Sequence, residues 1–556
     1  MSARALVIGL DGADVDVIHR IGRERLPALF TLMERGAWAR LESVQPPATL
    51  PNWTTFLTGV DPGRHGVFDF TVRDGYRVSF RAGTVREAPT IAARLDALGM
   101  RCACVGFPGT WPPERLKHGV FVSGWDSPVA FEADASFVEP RSLYREILER
   151  HGSMRFDDVD ELHADAPGWH DALPAALEER IARKTALASW LLDDRDWDLF
   201  AFYFGESDTA SHHLWAHFDE RSPRHPGGEG EARDGVPRVY AALDRAVAEL
   251  VARAGSDAEI TIVSDHGSGG ASDKVLYVNR ALAGAGLLAF APPSPAHLAT
   301  GPMKDLALRA LGPRARQLAF GLASRALPGW LESRARFGAI DMAKTRAFSD
   351  ELNYFPSVHL NVRGREPLGI VALRELDRCI DEVKAALFAL RDPWSGAPVV
   401  RRVWRREELF EGPFVHRAPD LLLELHLDDG YSYNLMPTAS APVGHGAWRK
   451  LEPAEHLGRK GRSLAGSHRA RGLLVMAGPR VRAAGEIHAR MADATVTALA
   501  RIDVAPSVAM GGRVLREAVA RTSRAPRPVG RADVDTARPA DDSRLEARLR
   551  ALGYVD

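Results

Sequence analysis

Six side chains able to bind hard divalent cations, and one hydroxyl, stand out by where they fall. Asp11 closes the run ALVIGLDG, Asp208 and His212 are four apart in WDLFAFYFGESDTASHH, and Asp265 and His266 end EITIVSDHGSGG. His468 sits in GSHRARGLLVMAGP, and Thr49 lies in PPATLPNWTTFLTG. Taken singly, most have a plain explanation. Asp-Gly after a strand is commonly a turn, an acid and a base four apart can be a solvated helix face, and a lone loop histidine is usually surface. The Asp265-His266-Gly267 triplet is more specific, because past a strand end the backbone can turn both side chains toward one point and Gly267 permits the bend. Pro51 suits the first turn of a helix, so Thr49 is expected at its N-cap, where free N–H groups face an anion.

Together, Asp11, Asp208, His212, Asp265, His266 and His468 make a natural set for two divalent ions held by three protein ligands each. Zinc suits mixed imidazole and carboxylate ligands best, with manganese second. Two ions about 4 Å apart can clamp the attacking and leaving oxygens of an in-line displacement at phosphorus. Thr49 is the candidate nucleophile, since coordination to a dication activates a hydroxyl without a neighbouring base.

These residues need elements that converge. Short apolar runs, clearest at Ala5–Leu10, Cys102–Phe107, Leu199–Phe204 and Glu259–Ser264, alternate with amphipathic stretches through the first 280 residues. That pattern predicts a three-layer α/β/α fold around a mostly parallel sheet. Ligands on such a sheet gather beyond the carboxyl ends of its strands. From residue 281 to 439 the texture shifts to Ala/Leu/Arg-rich helical segments and then to SVHLNV and DLLLEL, which reads as an inserted cap. The catalytic core is therefore expected over 1–280 and 440–515, with GLLVMAGP as a returning strand and 516–556 as a tail. Residues 219–236 and about 521–543 read as exposed loops. Leu545, Leu549 and Leu552, at helical spacing, predict a docking helix at the C-terminal end.

With 556 residues and an apolar fraction of 45%, the chain can bury a large core. Its 72 basic and 73 acidic residues leave a charge of -1, so no global field favours nucleic acid or an anionic membrane. Cys102, Cys104 and Cys379 are too few for a disulfide scaffold and read as buried small hydrophobes. No apolar stretch reaches the length of a bilayer span and the first residues lack a leader's apolar region, so the expected compartment is the cytoplasm, while the two-cation set beside Thr49 makes a small phosphorylated substrate the expected partner.

With these motifs in place, the chain resembles the type I phosphodiesterase and nucleotide pyrophosphatase branch of the alkaline phosphatase superfamily, itself similar to cofactor-independent phosphoglycerate mutases. The resemblance runs from Ala5 to about Arg513 and includes PGRHGVFDF at 62 to 70 and the closing LRALGYV. It implies one cation on Asp208, His212 and His468, and another on Asp11, Thr49, Asp265 and His266. It implies double displacement through a phosphothreonine at Thr49. One departure is that HGVFDF offers Asp69 where the nucleotide pyrophosphatases carry a donating Asn. An ionised Asp cannot donate to a phosphoryl oxygen, so Asp69 reads as structural or as a partner for a substrate amine or hydroxyl, and nucleotide specificity loses its support. Asn52 is the other candidate phosphoryl donor, against a local backbone cap. His65 and His213 read as turn and packing residues, and Trp111 and Trp125 as pocket or loop aromatics. The C/S-x-P-x-R element of a sulfatase is missing from Thr49-Leu50-Pro51-Asn52. The alternatives kept are a phosphomutase and a non-catalytic metal-stabilised binding protein.

Overall fold

The computed structural model describes residues 5–292, 336–337, 339–520 and 527–528, apart from 70, 81–85, 125–133, 154–163, 165, 195, 442–445 and 459–462. Expectations for Trp125, the helical segments within 301–335, the C-terminal helix and most of 521–543 lie outside these residues.

In chain order the strands are β1 (Ala5–Leu10), β2 (Ala37–Glu42), the hairpin β3 (Thr71–Asp74) and β4 (Arg77–Phe80), β5 (Cys102–Val105), β6 (Val120–Val122) and β7 (Val138–Glu139). Next come β8 (Leu199–Phe204), β9 (Glu259–Val263) and β10 (Gly267–Leu276). Then follow β11 (Ala347–Phe348), β12 (Ser357–Leu360), β13 (Val400–Arg405), β14 (Leu421–Leu425), β15 (Ser432–Leu435) and β16 (Trp448–Lys450). Then come β17 (Gly466–Arg469), β18 (Arg471–Ala477) and β19 (Gly485–Glu486), and last the short parallel pair β20 (Val504–Ala505) and β21 (Arg527–Pro528).

The central sheet has nine strands in the order β19-β2-β18-β9-β1-β8-β5-β6-β7. β9, β1, β8, β5 and β6 run parallel to one another. Such strands are covered on both faces, which is why β1, β5 and β8 are continuous apolar runs and every residue of these and of β9 is buried, Glu259 and Thr261 of β9 included. Alternate β1 residues serve opposite layers. Leu6, Ile8 and Leu10 pack with the helices Val15–Ile21, Trp169–Asp194 and Gly235–Ala254. Ala5 and Val7 pack with Thr49–Thr58, Ile91–Ala97 and Met491–Arg501. The expected three layers are present.

The returning strand β18 runs antiparallel, wedged between β9 and β2. It therefore starts at the edge where β9 and β2 end. All the elements that carry candidate residues meet at this one rim: Asp11 follows β1, Thr49 follows β2, Asp208 follows β8, Asp265 follows β9, and His468 precedes β18.

Between β10 and β17 lies a second unit, with the antiparallel sheet β11-β12-β14-β13 and the helix Leu376–Phe388 around their own apolar core. β15 and β16 join it to β10. The loop 219–236 is less open than its composition predicts. Arg224 is fully buried, and its guanidinium donates to the carbonyls of Glu455, His456, Ser463 and Leu464, so matched donors offset the cost of burying its charge. The three cysteines are free and buried, and Trp111 is buried against Phe137, 5.7 Å between ring centres.

Candidate metal centre

Thr49 is the first residue of the helix Thr49–Thr58, and Ala48, not Thr49, is its cap. Extended Ala48 caps the helix one residue earlier than the position of Pro51 predicts. The consequence is chemical, because no capping bond ties up the Thr49 hydroxyl. It lies 3.4 Å from His266 Nε2.

His266 Nε2 is also 3.5 Å from Asp11 Oδ1 and 3.3 Å from Asp265 Oδ2. On the other side, Asp208 Oδ1 is 3.2 Å from His212 Nε2 and 3.7 Å from His468 Nε2, and the two imidazole nitrogens are 3.0 Å apart. All seven residues expected from the sequence are thus brought together. Two trios, Asp11/Asp265/His266 and Asp208/His266/His468, have facing ligand atoms within 4.8 Å of one another. The sequence grouping gave His212 to the second trio. His266 instead completes both, while His212 borders the second through Asp208 and His468.

Each imidazole is oriented from behind. Nδ1 of His212, His266 and His468 faces the carbonyls of Gly466, Gly267 and Pro47 at 3.2, 3.1 and 2.8 Å. A carbonyl only accepts, so Nδ1 carries the hydrogen and each Nε2 directs a lone pair inward. Lone pairs of His212 and His468 facing each other at 3.0 Å repel unless a positive charge lies between them. Among the described residues, no donor reaches the buried Asp11 Oδ1, Asp208 Oδ1 or Asp265 Oδ2. Buried acceptors without donors are costly, and this donor set fits divalent cations.

The electrostatics agree. Burial, then the charge of Asp208, pushes the Asp11 carboxyl up to about 7. Asp265 is pushed well above its usual range by burial and then by Asp11 and Asp208. At Asp208 burial also pushes upward, but His212, His468 and His266 outweigh it and hold the carboxylate below its usual range. Burial holds His266 down to about 4 and keeps His468 well below normal, so both rings stay neutral, as metal ligands must be.

A surrounding layer fixes this geometry. Asp11 Oδ2 accepts from Trp53 Nε1 at 2.9 Å and Tyr203 OH at 2.6 Å. Ser207 and Ser268 hydroxyls donate to the Asp11 and Gly12 carbonyls, and Ser43 and Ser264 to those of Asp265 and His266. Gly12 adopts φ +63, and a Cβ there would lie 3.0 Å from Asp208 Oδ1. Trp53, Tyr203 and Tyr354 were not picked out by sequence. Trp53 stands in the motif itself, one helical turn past Thr49, but nothing in its spacing links it to Asp11.

Other candidates are occupied elsewhere. Asn52 is fully buried; its Oδ1 accepts from Val44 N–H and its Nδ2 donates to the carbonyls of Pro46 and Ala48, so it braces the loop ahead of Thr49 rather than offering a donor to substrate. Asp69 accepts from the Thr71 hydroxyl at 2.6 Å and the Thr71 amide, a local turn. His65 packs against the Thr55 hydroxyl at 3.1 Å, and His213 stacks edge-on with Trp169.

The sequence matches the family model for type I phosphodiesterase / nucleotide pyrophosphatase over residues 5–448. That span contains Asp11, Thr49, Asp208, His212, Asp265 and His266 but stops short of His468, which the fold adds. No curated protein matches. Among solved structures, phosphonoacetate hydrolase from Sinorhizobium meliloti 1021, in complex with phosphonoformate, is 18% identical at TM-score 0.50, covering 90% of this chain and 96% of that one. Human ectonucleotide pyrophosphatase/phosphodiesterase 5 is 13% identical at TM-score 0.46, covering 92% and 97%. Among the described residues, no helix is long and apolar enough to cross a membrane. Matched over most of its length, the chain belongs to the type I phosphodiesterase/nucleotide pyrophosphatase family of the alkaline phosphatase superfamily, hydrolases of phosphoric ester bonds.

Proposed function

We propose that this chain is a two-metal phosphohydrolase that works through a phosphothreonine at Thr49. The observation that carries the reading is the uncapped Thr49 hydroxyl beside His266, the residue common to both ligand trios. Asp11, Asp265 and His266, with Thr49, would hold one cation, and Asp208, His212 and His468 the other, zinc suiting the set best. When bound, two such cations supply the positive charge that acidifies a hydroxyl and neutralises phosphoryl oxygens.

Thr49 Oγ1 attacks phosphorus, and the bond to the ester oxygen breaks opposite it. Water then displaces Thr49 in a second in-line step. The helix N-terminus at Thr49 directs first-turn N–H groups at the phosphoryl anion. Trp53 and Tyr203 hold Asp11 so that its free oxygen keeps facing inward. The substrate is a small phosphorylated molecule, and because the Sinorhizobium hydrolase was captured with a phosphonate, phosphonates belong in the test panel.

The test is release of p-nitrophenol from mono- and diesters, and of phosphate from phosphonates, by protein loaded with zinc or manganese. Thr49→Ala should lower turnover by about 10³-fold or more while circular dichroism stays unchanged. A variant within tenfold of wild type removes Thr49 as nucleophile. A metal-loaded wild type inert on the whole panel replaces the enzyme with a binding protein.

A further inference from the structure

Tyr354 comes from the second unit yet lies against the metal centre. Its ring stacks on His468 with centres 4.0 Å apart and planes 8° from parallel, and His468 stacks in turn on His266 at 3.6 Å. Its hydroxyl is 3.2 Å from His212 Nδ1, at the same distance as the Gly466 carbonyl. One side chain therefore buttresses two of the imidazoles grouped around Asp208.

The segment that presents it is pinned at nearly every residue. Glu351, a buried non-glycine residue at φ +53, accepts from the amides of Asn279 and Thr438 and from the Thr438 hydroxyl. Asn353 Oδ1 accepts from the Leu435 amide at 2.8 Å. The Phe355 amide donates to the Leu352 carbonyl, and its ring is buried with Phe68, Phe410 and Leu422. A left-handed backbone at glutamate persists only where surrounding contacts over-determine it. Here those contacts fix the direction in which Tyr354 points.

We propose that Tyr354 is a positioning residue for the second cation site: its hydroxyl orients His212 and its ring holds His468, so that the inserted unit sets the affinity of that site. The inference rests on the two-cation reading above. Outer groups that orient metal-binding imidazoles typically change metal affinity 10- to 100-fold when removed.

Zinc is titrated against a competing chelator in wild type, Tyr354→Phe, Tyr354→Ala and His212→Ala, the last marking which equivalent belongs to the second site. Tyr354→Phe keeps the stack and loses the hydroxyl, and should weaken only that equivalent, about tenfold; Tyr354→Ala should approach 100-fold. The other equivalent should keep its affinity in both. Two equivalents of wild-type affinity in both Tyr354 variants overturn the positioning role alone, as does equal weakening of both sites in Tyr354→Phe. A wild type that holds fewer than two zinc ions overturns the two-cation function, and this inference with it.

Discussion

Asp11 faces two opposed demands: its Oδ2 is satisfied by Trp53 and Tyr203, while its Oδ1 is buried without a donor. Burial and Asp208 raise its pKa from 3.8 to about 7. A raised carboxyl favours the neutral form, so its stabilising contribution is complete below pH 3.8 and is lost as pH rises through about 7. Asp265 shifts in the same direction. In metal-free protein Asp11→Asn should therefore raise stability at pH 7 to 8, on the order of 1 kcal/mol or more, with the gain vanishing toward pH 4. Urea denaturation of chelated protein across that range measures it, and turnover should be lost in the same variant. A gain that does not depend on pH would contradict the assignment. At this scale the sequence was informative wherever residue type is itself the signal. The six candidate ligands and Thr49 could be found because carboxylates and imidazoles just past strand ends, or four apart at a helix start, need a reason. Tyr354 could not, since an aromatic in ELNYFPS has no feature separating it from a packing residue.

At the scale of elements, β17 and the helix Glu206–Phe218 must lie almost in contact for His468 to meet His212. Gly466 permits it: a Cβ there would sit 2.1 Å from the Ser211 carbonyl, and its own carbonyl accepts from His212. Gly466→Ala should push the strand from the helix, abolish the second zinc equivalent by titration and lower stability by roughly 1–3 kcal/mol, while the Asp11/Asp265/His266 trio still binds. Unchanged zinc stoichiometry would count against this account. The parallel strands were legible because burial on both faces writes them as mostly apolar runs, broken only in β9 by Glu259 and Thr261; β1 and β8 match their expected bounds, and β5 and β9 end two and one residues early. β2 was missed because AWARLE alternates buried and half-buried positions and contains no run. The antiparallel course of β18 was also hidden, since direction depends on the partner strand and not on the strand's own residues.

For the whole molecule, the two layers of helices and the sheet are held by apolar packing, but the rim gathers charge that packing cannot offset. Cations should therefore bind the folded state far better than the unfolded chain. With zinc at 100 times its dissociation constant, each site adds about 2.7 kcal/mol, so chelation should lower the melting temperature by several degrees as well as stopping turnover, and zinc should restore both. Melting curves that ignore zinc across a titration would argue against a metal centre.

His468 and His212 are 256 residues apart in sequence, and Gly12 and Asp265 are separated by 253. Pairings this distant carry a loop-closure cost before any contact repays it. During synthesis the ribosome has already released Asp11, Thr49, Asp208 and Asp265 when His468 is still unmade. A nascent chain can therefore assemble at most one trio, and the growing polypeptide remains an unfinished catalyst until β18 slots between β9 and β2.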